Sequence, residues 1–153
     1  MELQLNLEIL TALTLFAFVS SITPGPNNLM LMSSGANFGL RKTIPHALGV
    51  GIGFTLMIVL VGLGIIQIFD RFPASDTILK VLSIVYLLYL AFKIATSDSA
   101  GKVDKKKSEP FSFIQAAMFQ WVNPKAWTMA LTAVSVYASS SDIESVLLVA
   151  IVF

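Results

Sequence analysis

The chain has 153 residues, of which 56% are hydrophobic and 12% charged, with a net charge of +1 and a mean hydropathy of +0.80. Soluble domains carry about 25% charged residues, so this composition excludes an ordinary water-soluble globule and places the chain in a lipid bilayer. A net charge this small gives no footing for a nucleic-acid partner, and the lack of cysteine excludes a disulfide framework and thiolate metal sites.

In chain order, the N-terminus reads Met1-Glu2-Leu3-Gln4, with no Lys or Arg before the first apolar run. The basic segment of a cleaved secretion signal is missing, so the first span is expected to stay. That span covers 7–32 and is broken at 23–28 by Thr23-Pro24-Gly25-Pro26-Asn27-Asn28. Pro24 and Pro26 have no backbone donor, which leaves the carbonyls of Ser20 and Ile22 without helical partners. In hydrocarbon such carbonyls need another donor, a water-lined cavity or a bound ion.

A polar turn is expected over 33–44, with Pro45 in the first turn of the next helix. The second span, 47–69, has no formal charge. A third, 77–96, carries Lys80 and Lys93 toward its ends, where both can snorkel. The segment 97–109, with Lys105-Lys106-Lys107, reads as a solvated cytoplasmic loop. The fourth span, 111–138, is broken at 123–125 by Asn123-Pro124-Lys125. An apolar run at 146–153 is only ~12 Å long as helix and reads as an incomplete fifth span. The basic residues concentrate in the turn after the first span and the loop after the third, which puts those segments in the cytoplasm and the N-terminus outside it.

Pro24 and Pro124 sit at matching depths, each preceded by a polar residue, Thr23 or Asn123. If three spans form a unit, the first runs inward and the fourth outward. The fold class expected is therefore an all-α bundle of transmembrane helices, an inverted 3+3 repeat of which about four and a half spans are present. Coincidence is the competing explanation, since proline is frequent in membrane helices. Against it stand Asn27, Asn28, Asn123 and Lys125, which are costly in a bilayer and mark functional positions.

The half-helix after Pro26 would direct the amides of Asn27, Asn28 and Leu29 toward the break, where an anion is favoured. Freed carbonyls on the other side could meet an ammonium group, so the pocket suits a zwitterion. The candidate substrate-binding residues are Ser20, Thr23, Pro24, Gly25, Pro26, Asn27, Asn28, Asn123, Pro124 and Lys125. Lys125 could meet a substrate carboxylate, carbonyls around Gln120, or cavity water. His46 is expected at the membrane interface, with a proton relay as the less favoured role. Gly49 and Gly53 form a G-x-x-x-G pair for close helix packing. Trp121 and Trp127 flank the second break, and one of them could wall the pocket. The spans hold no paired acids, metal-ligand cluster or serine-histidine arrangement, so no catalytic, metal or cofactor site is expected.

Residues Ser21-Ile22-Thr23-Pro24-Gly25-Pro26-Asn27-Asn28, followed by Gly35, Gly39 and Arg41, resemble the N-terminal signature of the LysE/RhtB family of amino-acid exporters. Residues 119–126, with Asn123-Pro124-Lys125-Ala126, resemble its second characteristic stretch. The resemblance implies a multi-pass efflux protein of the bacterial inner membrane that exports an amino acid or derivative, with no cofactor. Family members usually have six spans, so this chain is expected to be C-terminally truncated. It would be either an exporter, active or not at this length, or a regulatory membrane subunit without transport of its own. A homodimer, or a partner supplying the missing helices, is expected on the same ground.

Overall fold

Proline and glycine set the helix boundaries. The computed structural model describes residues 2–64, 71–96, 109–138 and 143–153. Helix α1 (Glu2–Ile22) stops just before Thr23, the residue that Pro24 disfavours from helical geometry. Gly25 precedes Pro26 in fully extended geometry (φ −169°, ψ 176°), and α2 (Pro26–Phe38) starts with that proline in its first turn, where the fixed φ suits a helix start and the missing N–H is not needed. The axis bends by 58° across this break. The same rule operates again at Asn123 (φ −91°, ψ 107°), ahead of Pro124 at the start of another helix.

Helix α3 (Leu40–Gly62) follows α2 after the single residue Gly39, whose positive φ of 80° is one that glycine adopts without strain. The polar turn expected over 33–44 is thus helical on both sides of Gly39, and Pro45 lies inside α3 rather than in its first turn. Its polar side chains are absorbed locally: Asn37 Nδ2 donates to the Ser33 carbonyl (2.9 Å), Thr43 Oγ1 to the Gly39 carbonyl (3.0 Å), and the Ser34 and Thr43 hydroxyls bond each other at 3.0 Å.

Helix α4 (Pro73–Thr96) follows. Helix α5 (Phe113–Phe119) opens on a reciprocal capping box between Ser112 and Gln115. It tightens into a 3₁₀ turn (Gln120–Val122), after which come α6 (Pro124–Tyr137) and α7 (Ile143–Val152). The loop expected over 97–109, except Glu109, and the end of the second span lie outside the described residues. Among the described residues only α3 is by itself long and apolar enough to cross a membrane, with a mean hydropathy of 2.1; Leu7–Ile22 and Pro26–Phe38 pass that test together as one bent span.

Helix α3 is the hub, packing against α2, α5, α6 and α7. Its inner face, Phe54, Met57, Ile58 and Val61, meets Ala126, Ala130 and Ala133 of α6 and Val146, Val149 and Ala150 of α7. Close approach to α5 depends on glycine. A Cβ at Gly53 would stand 2.6 Å from the Ala117 Cα, and one at Gly49 would strike the Phe113 carbonyl and, at 2.8 Å, the Ala116 Cβ. Outside this core, Leu7, Leu15 and Phe18 of α1 and Leu48, Ile52 and Leu56 of α3 are exposed, as lipid-facing surfaces require.

Gly53→Val is therefore expected to destabilise the detergent-solubilised protein by about 1–3 kcal/mol through overpacking. Gly35→Ala, at a helical site with open space around it, should be neutral or stabilising by up to about 1 kcal/mol. Thermal unfolding of both variants checks the contrast.

Candidate functional site

The two helix breaks meet. Asn27, in the first turn of α2, and Gln120, in the 3₁₀ turn before Asn123, pair their carboxamides reciprocally. Asn27 Nδ2 donates to Gln120 Oε1 at 2.8 Å, and Gln120 Nε2 donates to Asn27 Oδ1 at 3.2 Å and to the Ala116 carbonyl at 2.8 Å. Gln120 is fully buried, so each polar atom left without a partner there would carry its whole desolvation cost. A second tie runs from Lys125 Nζ, which donates to the Thr23 carbonyl of the other break.

The unwound backbone is also served from its own side. Asn28 Nδ2 donates to the carbonyls of Ser21 (2.8 Å) and Thr23 (3.1 Å). The side-chain donors thus go to Ser21 and Thr23 rather than to the Ser20 and Ile22 carbonyls expected to need them, because the chain leaves the helix at Thr23 and turns that carbonyl toward α6. The Leu29 amide, expected to face the break, donates to the Gly25 carbonyl instead (3.0 Å). At the other break the Asn123 side chain caps α6 by accepting from the Lys125 amide at 3.1 Å.

These groups border a cavity of about 260 Å³. Its polar wall is Ser21, Asn27, Asn28, Gln120, Asn123 and Lys125, and its apolar wall includes Leu31, Val50, Phe54, Met129 and Phe153. Lys125 is the only charged residue among the described residues that line it. Pockets for small molecules have this make-up, a mainly apolar lining with a few convergent polar groups.

Of the residues singled out in the sequence, Gly25, Asn27, Asn28, Asn123 and Lys125 come together on this wall. Ser20, Thr23, Pro24, Pro26 and Pro124 are not among the lining residues. The Ser20 hydroxyl bonds back to the Phe16 carbonyl (2.6 Å) and the Thr23 hydroxyl to the Val19 carbonyl (2.6 Å), so both serve their own helix. Trp121 and Trp127 also stay off the wall; the Trp127 indole donates to the Trp121 carbonyl at 2.9 Å. His46 does not face an interface: it is 1% exposed, lies 5.4 Å from the Phe111 ring, and neither ring nitrogen has a partner among the described residues. Because α3 begins at Leu40, His46 is already in its second turn and inside the bundle. Sequence reasoning missed the Gln120 side chain, although a carboxamide in an apolar stretch three residues before Asn123 was itself a signal. Nothing in the sequence marked Phe54 or Met129 as cavity walls.

Residues 18–153 match the family described as LysE type translocator. The chain belongs to the LysE family. This LysE chain is 33% identical over 132 residues to the cysteine/O-acetylserine efflux proteins of Escherichia coli (strain K12), Shigella flexneri serotype 5b (strain 8401) and Shigella sonnei (strain Ss046). The alignment covers 84% of the chain and 65% of each relative, so the chain spans just under two thirds of their length. No solved structure matches it. Family membership makes it a membrane protein, and the cavity lies where the two helix breaks meet.

If the Asn27–Gln120 pair holds the breaks together, a double-mutant cycle with Asn27→Ala and Gln120→Ala should give a coupling of about 0.6–1.7 kcal/mol, the range for hydrogen bonds between membrane helices. Unfolding free energies of the two single variants and the double variant measure it; strictly additive losses would contradict the pairing.

Proposed function

We propose that the chain forms the substrate-holding part of an exporter that moves a small amino acid or amino-acid derivative out across the bacterial inner membrane by alternating access. The observation that carries this reading is the joining of both helix breaks at one cavity, in a chain that belongs to a translocator family and has efflux proteins as relatives. In secondary transporters, discontinuous helices of corresponding spans hold substrate near the bilayer midplane.

The repeated order of helix, extended residue before proline, and proline-led helix supports a repeat in a multi-pass bundle, with Pro26 rather than Pro24 as the counterpart of Pro124. Its inversion follows from the opposite directions expected of the first and fourth spans. Gly25, Asn27, Asn28, Asn123 and Lys125 contact the substrate, with Gln120 holding Asn27 in place. Ser20, Thr23, Pro24, Pro26 and Pro124 shape the two breaks from behind the wall. The relatives' names point to a small neutral zwitterion, and a cavity of about 260 Å³ has room for one. The carboxamides supply donors and acceptors that a zwitterion can use at both ends.

The test is O-acetylserine export from cells expressing the full-length protein, read as accumulation in the medium. Asn27→Ala and Pro24→Ala should each cut export about tenfold or more at equal membrane levels, a loss of about 1.4 kcal/mol. Undiminished export by both variants would overturn the placement of the site, and no export by the wild type would overturn the substrate.

A further inference from the structure

Gly25 is the glycine whose side-chain space is taken by a residue of the other break. Its backbone is extended, φ −169° and ψ 176°, a conformation open to any residue, so glycine is not required there for conformational freedom. What occupies the space of its missing side chain is Lys125. A Cβ at position 25 would stand 2.7 Å from the Lys125 Cδ and 3.3 Å from its Nζ. Glycine at 25 therefore keeps open a lane along which the lysine, rooted in the first turn of α6, reaches across to the first break.

At the end of that lane the ammonium's partner among the described residues is a neutral acceptor. Its partner is the Thr23 carbonyl, an oxygen already shared with Asn28 Nδ2 at 3.1 Å. An ammonium has three donors and a full charge. No acidic side chain occurs among the described lining residues, so among their side chains this charge has no counter-charge where pairing matters most. Charge-assisted hydrogen bonds from an ammonium to a carboxylate are roughly twice as strong as neutral ones, so a carboxylate entering the cavity outcompetes the carbonyl.

We propose that Lys125 is the anchor for the substrate's carboxylate and that the Thr23 carbonyl is its placeholder in the empty cavity, with Gly25 as the positioning residue that lets the lysine move between them. The substrate class follows: ligands must carry a free carboxylate, and their esters and amides are rejected. Binding also breaks the charged tie between the two breaks and leaves the Asn27–Gln120 pair in place. Occupancy thereby loosens α6 from the end of α1. A ligand shifts a conformational equilibrium only by binding its states differently, and exchange of the tie supplies that difference. The charge argument is independent of the exporter reading, although the term substrate rests on it.

The test uses the purified full-length protein in detergent, with acetate as the carboxylate probe, acetamide as its neutral counterpart and chloride at matched ionic strength. Acetate titration should raise the melting temperature of wild type and Lys125→Arg, while acetamide does not. Lys125→Met should lose the response, with apparent affinity down about tenfold or more. Gly25→Ala retains the charge but fills the lane, so it should weaken acetate binding even if Lys125→Met fails to fold. No acetate response in the wild type, or equal responses in wild type, Lys125→Met and Gly25→Ala, would overturn the anchor. An acetate response without O-acetylserine export would remove O-acetylserine as the substrate and leave the anchor standing; export without an acetate response would overturn the anchor and leave the exporter reading standing.

Discussion

The constraint on which the rest of the structure depends is that backbone polar groups inside a bilayer must find partners within the protein. Two proline-containing breaks violate local satisfaction, and the protein answers with donors from elsewhere. Asn28 covers the carbonyls of Ser21 and Thr23 from one side, and Lys125 reaches Thr23 from a position 102 residues further along the chain. The breaks therefore cannot be understood singly. Lys125 at the second break serves the Thr23 carbonyl freed at the first, and the reciprocal Asn27–Gln120 pair fixes their relative position.

A cavity persists at this crossing because the hub beside it is packed without side chains at its tightest points. Gly49 and Gly53 bring α3 against α5, and the alanine stripe at 126, 130 and 133 brings α6 against α3. Gly62 does the same for α7 by making room for Val146. Dense packing on these faces fixes the segments that carry Gln120 and Asn123, so that side of the polar wall is set on the packed core. Sites set on rigid elements keep their geometry better than sites on loops.

Much of this was legible in the sequence for local reasons. Proline restricts the residue before it and starts helices well, so the breaks at Thr23 to Gly25 and at Asn123 follow from Pro24, Pro26 and Pro124 alone. Polar residues in a bilayer are costly, which singled out Asn27, Asn28, Asn123 and Lys125. Tertiary choices were not legible. Which carbonyl a distant lysine meets depends on how α6 crosses α1. A hydroxyl such as that of Ser20 or Thr23 can serve its own helix as readily as a ligand. The polar stretch 33–44 reads as a turn by composition, yet Ser34, Asn37 and Thr43 bond within and between two helices joined at Gly39. His46 likewise reads as an interface residue only while α3 is taken to begin later than Leu40.

The meeting of the two breaks is the central claim, and thiol crosslinking measures it directly once any cysteine outside these 153 cysteine-free residues is replaced by serine. Cysteines placed at Asn27 and Gln120 of the full-length protein in membranes would be treated with a short bifunctional thiosulfonate, and joined peptides identified by mass spectrometry. A pair at Leu29 and Gln120 serves as the control, since Leu29 is exposed and does not line the cavity. The account predicts efficient joining of 27 to 120 and little joining of 29 to 120. Equal yields for the two pairs, or none for 27 and 120, would contradict it.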